Sequence, residues 1–162
     1  MFLSKKHQSG VTLLEVLIAL LVLSIGLLGH AKLQLFGVRA NTNAYLRTQA
    51  TALAHDFAER LRANRDAASA GVYAGIDYAG IDCTKAPPVC YDRPGEDARN
   101  CSADEIAEAD AFEWVCQVGQ LLPDSGISVA QDGGFYTTTV RWGETDGDGE
   151  SVTPEVSLRF RP

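Results

Sequence analysis

The chain has 162 residues and a formal net charge of −7, from 14 lysines and arginines against 21 aspartates and glutamates. This length allows one modest domain together with one long helix. Because nucleic-acid binding depends on basic residues that neutralise phosphates, the acidic balance argues against a nucleic-acid partner.

The first feature along the chain is an apolar run from Val11 to Gly29, in which Glu15 is the only charged residue. At ~1.5 Å per residue, a helix of this length is about long enough to cross a hydrocarbon core of roughly 30 Å. Lys5 and Lys6 precede the run without any acid, which favours a cytoplasmic N-terminus and leaves a charge of −9 (−7 minus 2) beyond them. An acid inside such a run is costly, so Glu15 is a candidate functional residue. The alternative is an ordinary signal anchor whose carboxylate reaches the lipid headgroups.

The residues around the start of this run resemble the class III leader of type IV pilins and pseudopilins. They combine a short basic segment that ends at Gly10, a hydrophobic residue at Val11, Glu15 four residues further on and a long apolar helix. The resemblance implies that a prepilin peptidase cuts between Gly10 and Val11 and methylates the new N-terminus. Val11 stands where phenylalanine or methionine is commoner, a difference that we expect to slow processing at most.

The spacing of Val11 and Glu15 has a physical consequence of its own. Residues four apart lie on one face of a helix, so an amino terminus at Val11 and the carboxylate of Glu15 are held close together in an apolar medium. Neither charge is stable there without a partner. When such helices pack side by side, Glu15 of one subunit is expected to pair with the amine of a neighbour and to set the axial register.

Four cysteines, Cys83, Cys90, Cys101 and Cys116, lie in the C-terminal half of the chain. With an export signal at the N-terminus, an even count predicts two disulfides. A metal site is the alternative, but the spacings match no zinc pattern and all three histidines lie upstream. Four cysteines allow three pairings, among which the sequence does not choose. We expect Cys83–Cys90 to close a loop and Cys101–Cys116 to tie the start of a helix to its body.

Beyond Gly29 the helical pattern continues to about Arg65, because no proline interrupts it. Its second half carries apolar residues at spacings of four, three, four and four, which is the period of one buried helical face. This half therefore needs a packing partner from the rest of the chain. The residues of this face are Leu46, Ala50, Leu53, Phe57 and Leu61.

The segment from Asp66 to Arg99 is rich in glycine, proline and aspartate and is predicted to be a loop. Tyr73, Ile76, Tyr78 and Ile81 within it are expected to form a short strand or to pack onto the long helix. Such a length without secondary structure is uncommon in a compact domain, so a functional or disulfide-pinned role is favoured.

Ser102 and Glu105 form a capping-box pattern that opens a second helix, and Pro123 ends it. The carboxylates of Glu105, Glu108 and Asp110 could be taken for an acid–base cluster, but a solvated helix face is the favoured interpretation. The predicted apolar stripe of this helix consists of Ile106, Ala109, Phe112, Val115, Cys116 and Leu122.

From Gly126 onward the pattern changes to the period of two that is typical of strands. Strands are predicted around residues 127–131 and 135–142, joined by a turn at Gly133 and Gly134, and a last strand from Val152 or Pro154 to Phe160. The acidic loop 144–150 resembles a calcium loop but lacks the remaining ligands of an EF-hand, so no metal site is predicted.

The predicted fold is α+β and pilin-like, with a long N-terminal helix, apolar in its first half, packed on a small antiparallel sheet, a short second helix and a long disulfide-bearing loop. The resemblance implies a leader at 1–10, a membrane or filament-core half-helix at 11–30 and a periplasmic domain at 31–162.

No catalytic motif occurs, so neither an enzyme nor a cofactor is expected. The expected role is a minor pilin subunit of a type IV pilus, reached through the inner membrane. Its expected partners are a prepilin peptidase and, through the N-terminal helix, other minor pilins and the major pilin. A type II secretion pseudopilin and a tip-displayed adhesin are the alternatives.

Overall fold

The computed structural model describes residues 12–85, 90 and 100–162. Within this part of the chain, the structure confirms the predicted α+β fold and its long N-terminal helix. The chain divides into two compact units, Met1–Ala40 and Asn41–Pro162, and the boundary falls inside the first helix. In chain order the elements are α1 (Leu13–Ala63), α2 (Arg65–Ala70), α3 (Val72–Gly75), a 3₁₀ turn (Tyr78–Gly80), α4 (Ala103–Leu121), β1 (Gly126–Asp132), β2 (Phe135–Arg141), β3 (Glu144–Thr145), β4 (Ser151–Val152) and β5 (Glu155–Phe160).

Helix α1 is continuous over 51 residues, close to the predicted limits. The predicted apolar face in its second half is confirmed, because Ala50, Leu53, Phe57 and Leu61 are buried and Leu46 packs against them. Alanines beside this face are buried as well, which lets neighbouring elements approach the helix closely. Phe57 has no exposed surface, and burying a side chain of this size contributes about 1.5–3 kcal/mol.

The prediction of a loop after α1 is wrong for the first part of that segment, which forms α2, α3 and the 3₁₀ turn. Gly71 makes this possible because its φ of +83° ends α2, and its N–H bonds the carbonyls of Ala67 and Ala68. Tyr73 and Tyr78 are buried on short helical elements and not on a strand, and they contact Phe57 of α1, which confirms the predicted packing onto the long helix. The remainder of the predicted loop, residues 86–89 and 91–99, lies outside the described residues.

Helix α4 begins with the predicted capping box, in which the Ser102 side chain accepts from the Glu105 backbone and the Glu105 carboxylate accepts from the Ser102 backbone. The predicted apolar stripe is only partly right, since Ile106 is exposed and Phe112 is half-buried. The face turned to the core is rotated and contains Trp114, which the pattern did not single out. Its fully buried members are Ala107, Ala111, Trp114 and Val118.

Three strands form an antiparallel sheet in the order β1-β2-β5, which confirms the predicted sheet. Gly133 and Gly134 both have positive φ and form the tight turn between β1 and β2. Tyr136, Thr138 and Val140 point inward from β2, and the hydroxyl of Thr138 is buried without a hydrogen-bond partner in the described part of the chain. The sequence did not predict the additional small hairpin of β3 and β4.

The core is an aromatic cluster between α1 and α4. Phe57 stacks on Trp114 with ring centroids 4.0 Å apart, and Tyr73 and Tyr78 meet Phe57 edge-on at 5.8 Å. Trp114 also donates its indole N–H to the carbonyl of Leu53 over 2.9 Å. This bond satisfies the one polar atom of the buried Trp114 side chain. Because its acceptor is a backbone carbonyl of α1, the bond also fixes α4 against one turn of α1.

Candidate functional site

The predicted processing residues Gly10 and Val11 lie outside the described residues, whereas Glu15 stands in the first turn of α1. The backbone N–H of Glu15 bonds the carbonyl of Thr12 over 3.0 Å and its hydroxyl over 3.3 Å. Thr12 therefore caps the helix and fixes its start, which places Glu15 in the first turn. The T-x-x-E spacing of Thr12 and Glu15 is the sequence signal for this cap, which was not among the predicted features.

The first half of α1 presents an uncovered apolar surface. Its large apolar side chains, from Leu13 to Val38, are between 48% and 80% exposed. Glu15 lies on one face of this surface in a shallow depression with Val16, Ala19, Leu20 and Leu23. Among the described residues, α1 is the one helix long and apolar enough to cross a membrane. Such a surface is stable only in lipid or against other apolar helices.

Gly26, Gly29 and Gly37 lie along the same half of α1. A Cβ added at any of them would meet nothing within 4 Å. No contact among the described residues 12–85, 90 and 100–162 therefore requires a glycine at these positions. The absence of a side chain there leaves room for the close approach of another helix.

The structure contains two disulfides, as predicted, but the expected pairing is wrong. Cys83 is bonded to Cys116 and Cys90 to Cys101, with Cα atoms 5.6 and 6.2 Å apart. The expected Cys101–Cys116 bond fails on geometry: Cys101 precedes the helix cap and Cys116 follows some four turns later, a separation of roughly 20 Å at ~1.5 Å per residue. The observed Cys83–Cys116 bond instead ties the segment after the 3₁₀ turn to α4, and Cys90–Cys101 ends at the residue before the helix cap.

A polar network joins α1, α3 and α4 beside the aromatic core. Arg60 reaches Asp56 over 3.0 Å, Glu113 over 2.7 Å and Asp110 over 3.4 Å. The hydroxyl of Tyr73 donates to the other oxygen of Asp110 over 2.6 Å. Asp110 is therefore a half-buried structural acceptor, so the interpretation as a solvated face is wrong for this residue. Glu105 is held by the helix cap, and the three acids form no acid–base cluster.

Burial and charge act together on the ionisable groups of this network. Burial raises the pKa of Tyr73, and the hydrogen bond to Asp110 raises it further. Burial opposes the charge on Arg60, but the hydrogen bonds to Glu113 and Asp56 outweigh this and raise its pKa. Both groups therefore keep their protons at neutral pH, which suits a fixed structural network.

A second polar contact fixes the β3–β4 hairpin to α1. The carboxylate of Glu144 is almost fully buried and accepts from Arg47 over 2.9 Å and from the indole of Trp142 over 3.2 Å. Asn43 donates to the carbonyl of Thr145 over 2.9 Å. Because both oxygens of the buried carboxylate have donors, its burial is compensated.

Hydrogen bonds between the Asp146 side chain and the backbone stabilise the acidic loop of the β3–β4 hairpin. One carboxylate oxygen of Asp146 accepts from the backbone N–H groups of Asp148 and Glu150, over 3.0 and 2.8 Å. Across the residues that the structure describes, no group of three or more histidine, cysteine or acidic side chains could hold a metal ion. The Asp146 side chain thus stabilises the turn of its own loop. This carboxylate, the first acid of the calcium-like sequence, is already engaged in hydrogen bonds to the backbone.

Comparisons with known proteins agree with this arrangement. Residues 32–112, half of the chain, match the family model described as type IV pilin Tt1218. Residues 5–29 match the model of the prokaryotic N-terminal methylation motif, which includes the predicted cleavage position and Glu15. The searches of curated proteins and of solved structures find no match. The two family matches, together with the long N-terminal helix, the antiparallel sheet and the disulfide-bearing segment, show that the chain belongs to the type IV pilin family.

Proposed function

We propose that the protein is a minor pilin that takes part in type IV pilus biogenesis, priming or capping the filament through helix packing and not through catalysis. The observation that carries the proposal is the uncovered apolar half of α1 with its single carboxylate, Glu15, in the first turn. Lipid first covers this surface in the membrane. In the core of a helical filament, contacts with the helices of other subunits then replace the contacts with lipid.

Short stretches of sequence support a more specific identity, the minor pilin PilV. The longest is the apolar segment 17–29, and the others are residues 112–114, followed by 121–123, and residues 139–142. The last two are short and gain weight only beside the first. A role in adhesion or twitching motility would follow from pilus assembly.

The proposed route begins in the inner membrane, with the leader on the cytoplasmic side and the domain after the apolar half-helix in the periplasm. Lys5 and Lys6 before the apolar run favour this orientation. The two disulfides suit an oxidising compartment. After cleavage by a prepilin peptidase, the subunit is proposed to pass into the pilus through contacts of α1 with other minor pilins and the major pilin.

Mass spectrometry of the mature protein tests the processing step. We expect an N-terminus at Val11 carrying one methyl group, and we expect Gly10→Ala to leave the leader attached. Ser9→Ala, a change of similar size one residue earlier, serves as the control and is expected to be processed. A mature protein that begins at Met1, or that is cut behind the apolar run, would show that the pilin-type processing proposed here does not occur.

Fractionation then tests the assembly step. The processed protein is expected in sheared pili or in cross-linked complexes with minor pilins, as well as in the membrane. Its absence from pili, together with loss of type II secretion when it is deleted, would identify a pseudopilin in place of a pilus subunit.

A further inference from the structure

A groove with a volume of about 750 Å³ runs between α4 and the segment from α3 to Lys85. Its lining has two parts. The apolar residues Val72, Ile76, Ile81 and Phe112 are half-buried and form the floor, whereas charged residues along both edges are exposed. Val72, Ile76 and Ile81 also pack against the buried core, so the floor of the groove is the outer side of that core.

Among the described residues, the edges of the groove carry four carboxylates and one ammonium group. The carboxylates belong to Asp77, Asp82, Glu105 and Glu108, and Lys85 lies 3.6 Å from Asp82. The groove therefore has an excess of three negative charges around an apolar floor. Within the described residues, the side chain of Glu108 makes no hydrogen bond or ion pair, so its charge faces the groove without compensation.

The groove is held open by covalent and hydrogen-bonded constraints. The Cys83–Cys116 disulfide fixes the wall formed by Ile81 to Lys85 against α4. The carboxylate of Asp82 accepts from the backbone and the hydroxyl of Thr84, over 3.0 and 2.7 Å, and so fixes the turn at that wall. A site that is ordered before binding loses less conformational entropy when a partner docks.

We propose that this groove docks a cationic, amphipathic segment of another polypeptide, in which lysine or arginine residues flank apolar side chains. The apolar floor takes the apolar side chains, and the carboxylates along the edges pair with the flanking cations. The same negative edge repels phosphates, anionic lipids and acidic peptides. A bare metal ion does not fit either, because the carboxylates are spread along two walls and form no ligand cluster among the described residues.

The test measures binding of short fluorescent peptides to the full-length protein in nanodiscs of zwitterionic phosphatidylcholine. The first peptide alternates lysine and leucine, the second alternates glutamate and leucine, and the third alternates lysine and serine. Empty nanodiscs measure binding to lipid alone. We expect the lysine–leucine peptide to bind the protein most tightly and to bind less well as the salt concentration rises.

Two protein variants locate the binding. Glu108→Lys is expected to lower the affinity for the lysine–leucine peptide about fivefold, since an exposed ion pair is replaced by a repulsion. Glu155→Lys makes the same change of charge on the outer face of β5 and is expected to leave the affinity unchanged. Both residues are exposed, so neither change threatens the fold.

Four results would overturn the proposal: no binding above that to empty nanodiscs, equal binding of the glutamate–leucine peptide, equal binding of the lysine–serine peptide, or an equal effect of the two variants. Equal binding of the lysine–serine peptide would show that the apolar floor has no role. The measurement uses purified protein and no pilus, so it is independent of whether the chain enters a filament.

Discussion

Replacing Thr138 by valine is expected to stabilise the protein. Thr138 is fully buried on the inward face of β2, between Tyr136 and Val140, and its hydroxyl has no partner in the described structure. A buried polar group without a hydrogen bond costs about 1–3 kcal/mol. Valine has nearly the same shape and a similar preference for strands, so the substitution removes this cost and leaves no cavity. We expect the free energy of unfolding to rise by about 1 kcal/mol, at the lower end of that range.

Urea unfolding of the full chain in detergent micelles measures the effect. Trp114 and Trp142 are both buried in the Asn41–Pro162 unit, so their fluorescence reports the unfolding of this unit. A thermal scan should show a rise in the midpoint of about 3 °C for the expected gain.

The neighbouring substitution Thr139→Val is the matched control. Thr139 lies on the same strand, but its hydroxyl is 2.8 Å from that of Ser157. Losing this bond is expected to lower the free energy of unfolding by about 0.5 kcal/mol. If Thr138→Val destabilises the protein as much as the control does, the hydroxyl of Thr138 has a partner and the reasoning fails.

Three further substitutions test other parts of the structure. Glu15→Ala is expected to leave the membrane-bound amount unchanged or higher but to reduce incorporation into pili, because a broken buried ion pair costs roughly 3–5 kcal/mol; normal incorporation would refute pairing. Cys116→Ser should leave Cys83 as the one labelled thiol and lower stability by about 4 kcal/mol for a bond that spans 33 residues, whereas labelling of Cys101 would contradict the observed pairing. Asp110→Asn should lower the free energy of unfolding by about 2 kcal/mol, since the ionised acceptor of Tyr73 and Arg60 is lost. Asp104→Asn, at an exposed position on the same helix, should change it little.

The sequence predicted those elements whose signals are local. The stripe of α1 was recognised because its spacing holds over four turns with no glycine or proline to interrupt it. The cap at Ser102 was recognised because its chemistry is contained in four residues. The turn at Gly133 and Gly134 was recognised because only certain residues adopt its backbone angles readily.

The features that were missed depend on contacts between distant residues. On α4 the predicted and observed stripes have similar periods, and the choice between them rests on the fit of Trp114 to Phe57 and Leu53 of α1. Asp110 was read as solvated because its donors, Arg60 and Tyr73, are 50 and 37 residues away in the chain. Glu144 was missed as a buried acid for the same reason, since its partner Arg47 is 97 residues away.

The pairing of the cysteines could have been narrowed from the sequence. Once a capping box places Cys101 before α4 and Cys116 well inside it, the length of the helix excludes a bond between the two. The choice between the two remaining pairings depends on where the segment after the 3₁₀ turn returns to α4. That return is a tertiary contact, and no local pattern encodes it.

The two disulfides are nested, with Cys90–Cys101 inside the loop that Cys83–Cys116 closes. Of the two disulfides, only the outer one reaches into α4, while the inner one joins Cys90 to the residue before the helix cap. A protease that cuts once between Cys90 and Cys101 leaves two pieces that remain joined until a reductant is added. Because lengthening a closed loop adds little entropic cost, a change in the number of residues between Cys90 and Cys101 is expected to alter the free energy of unfolding only slightly.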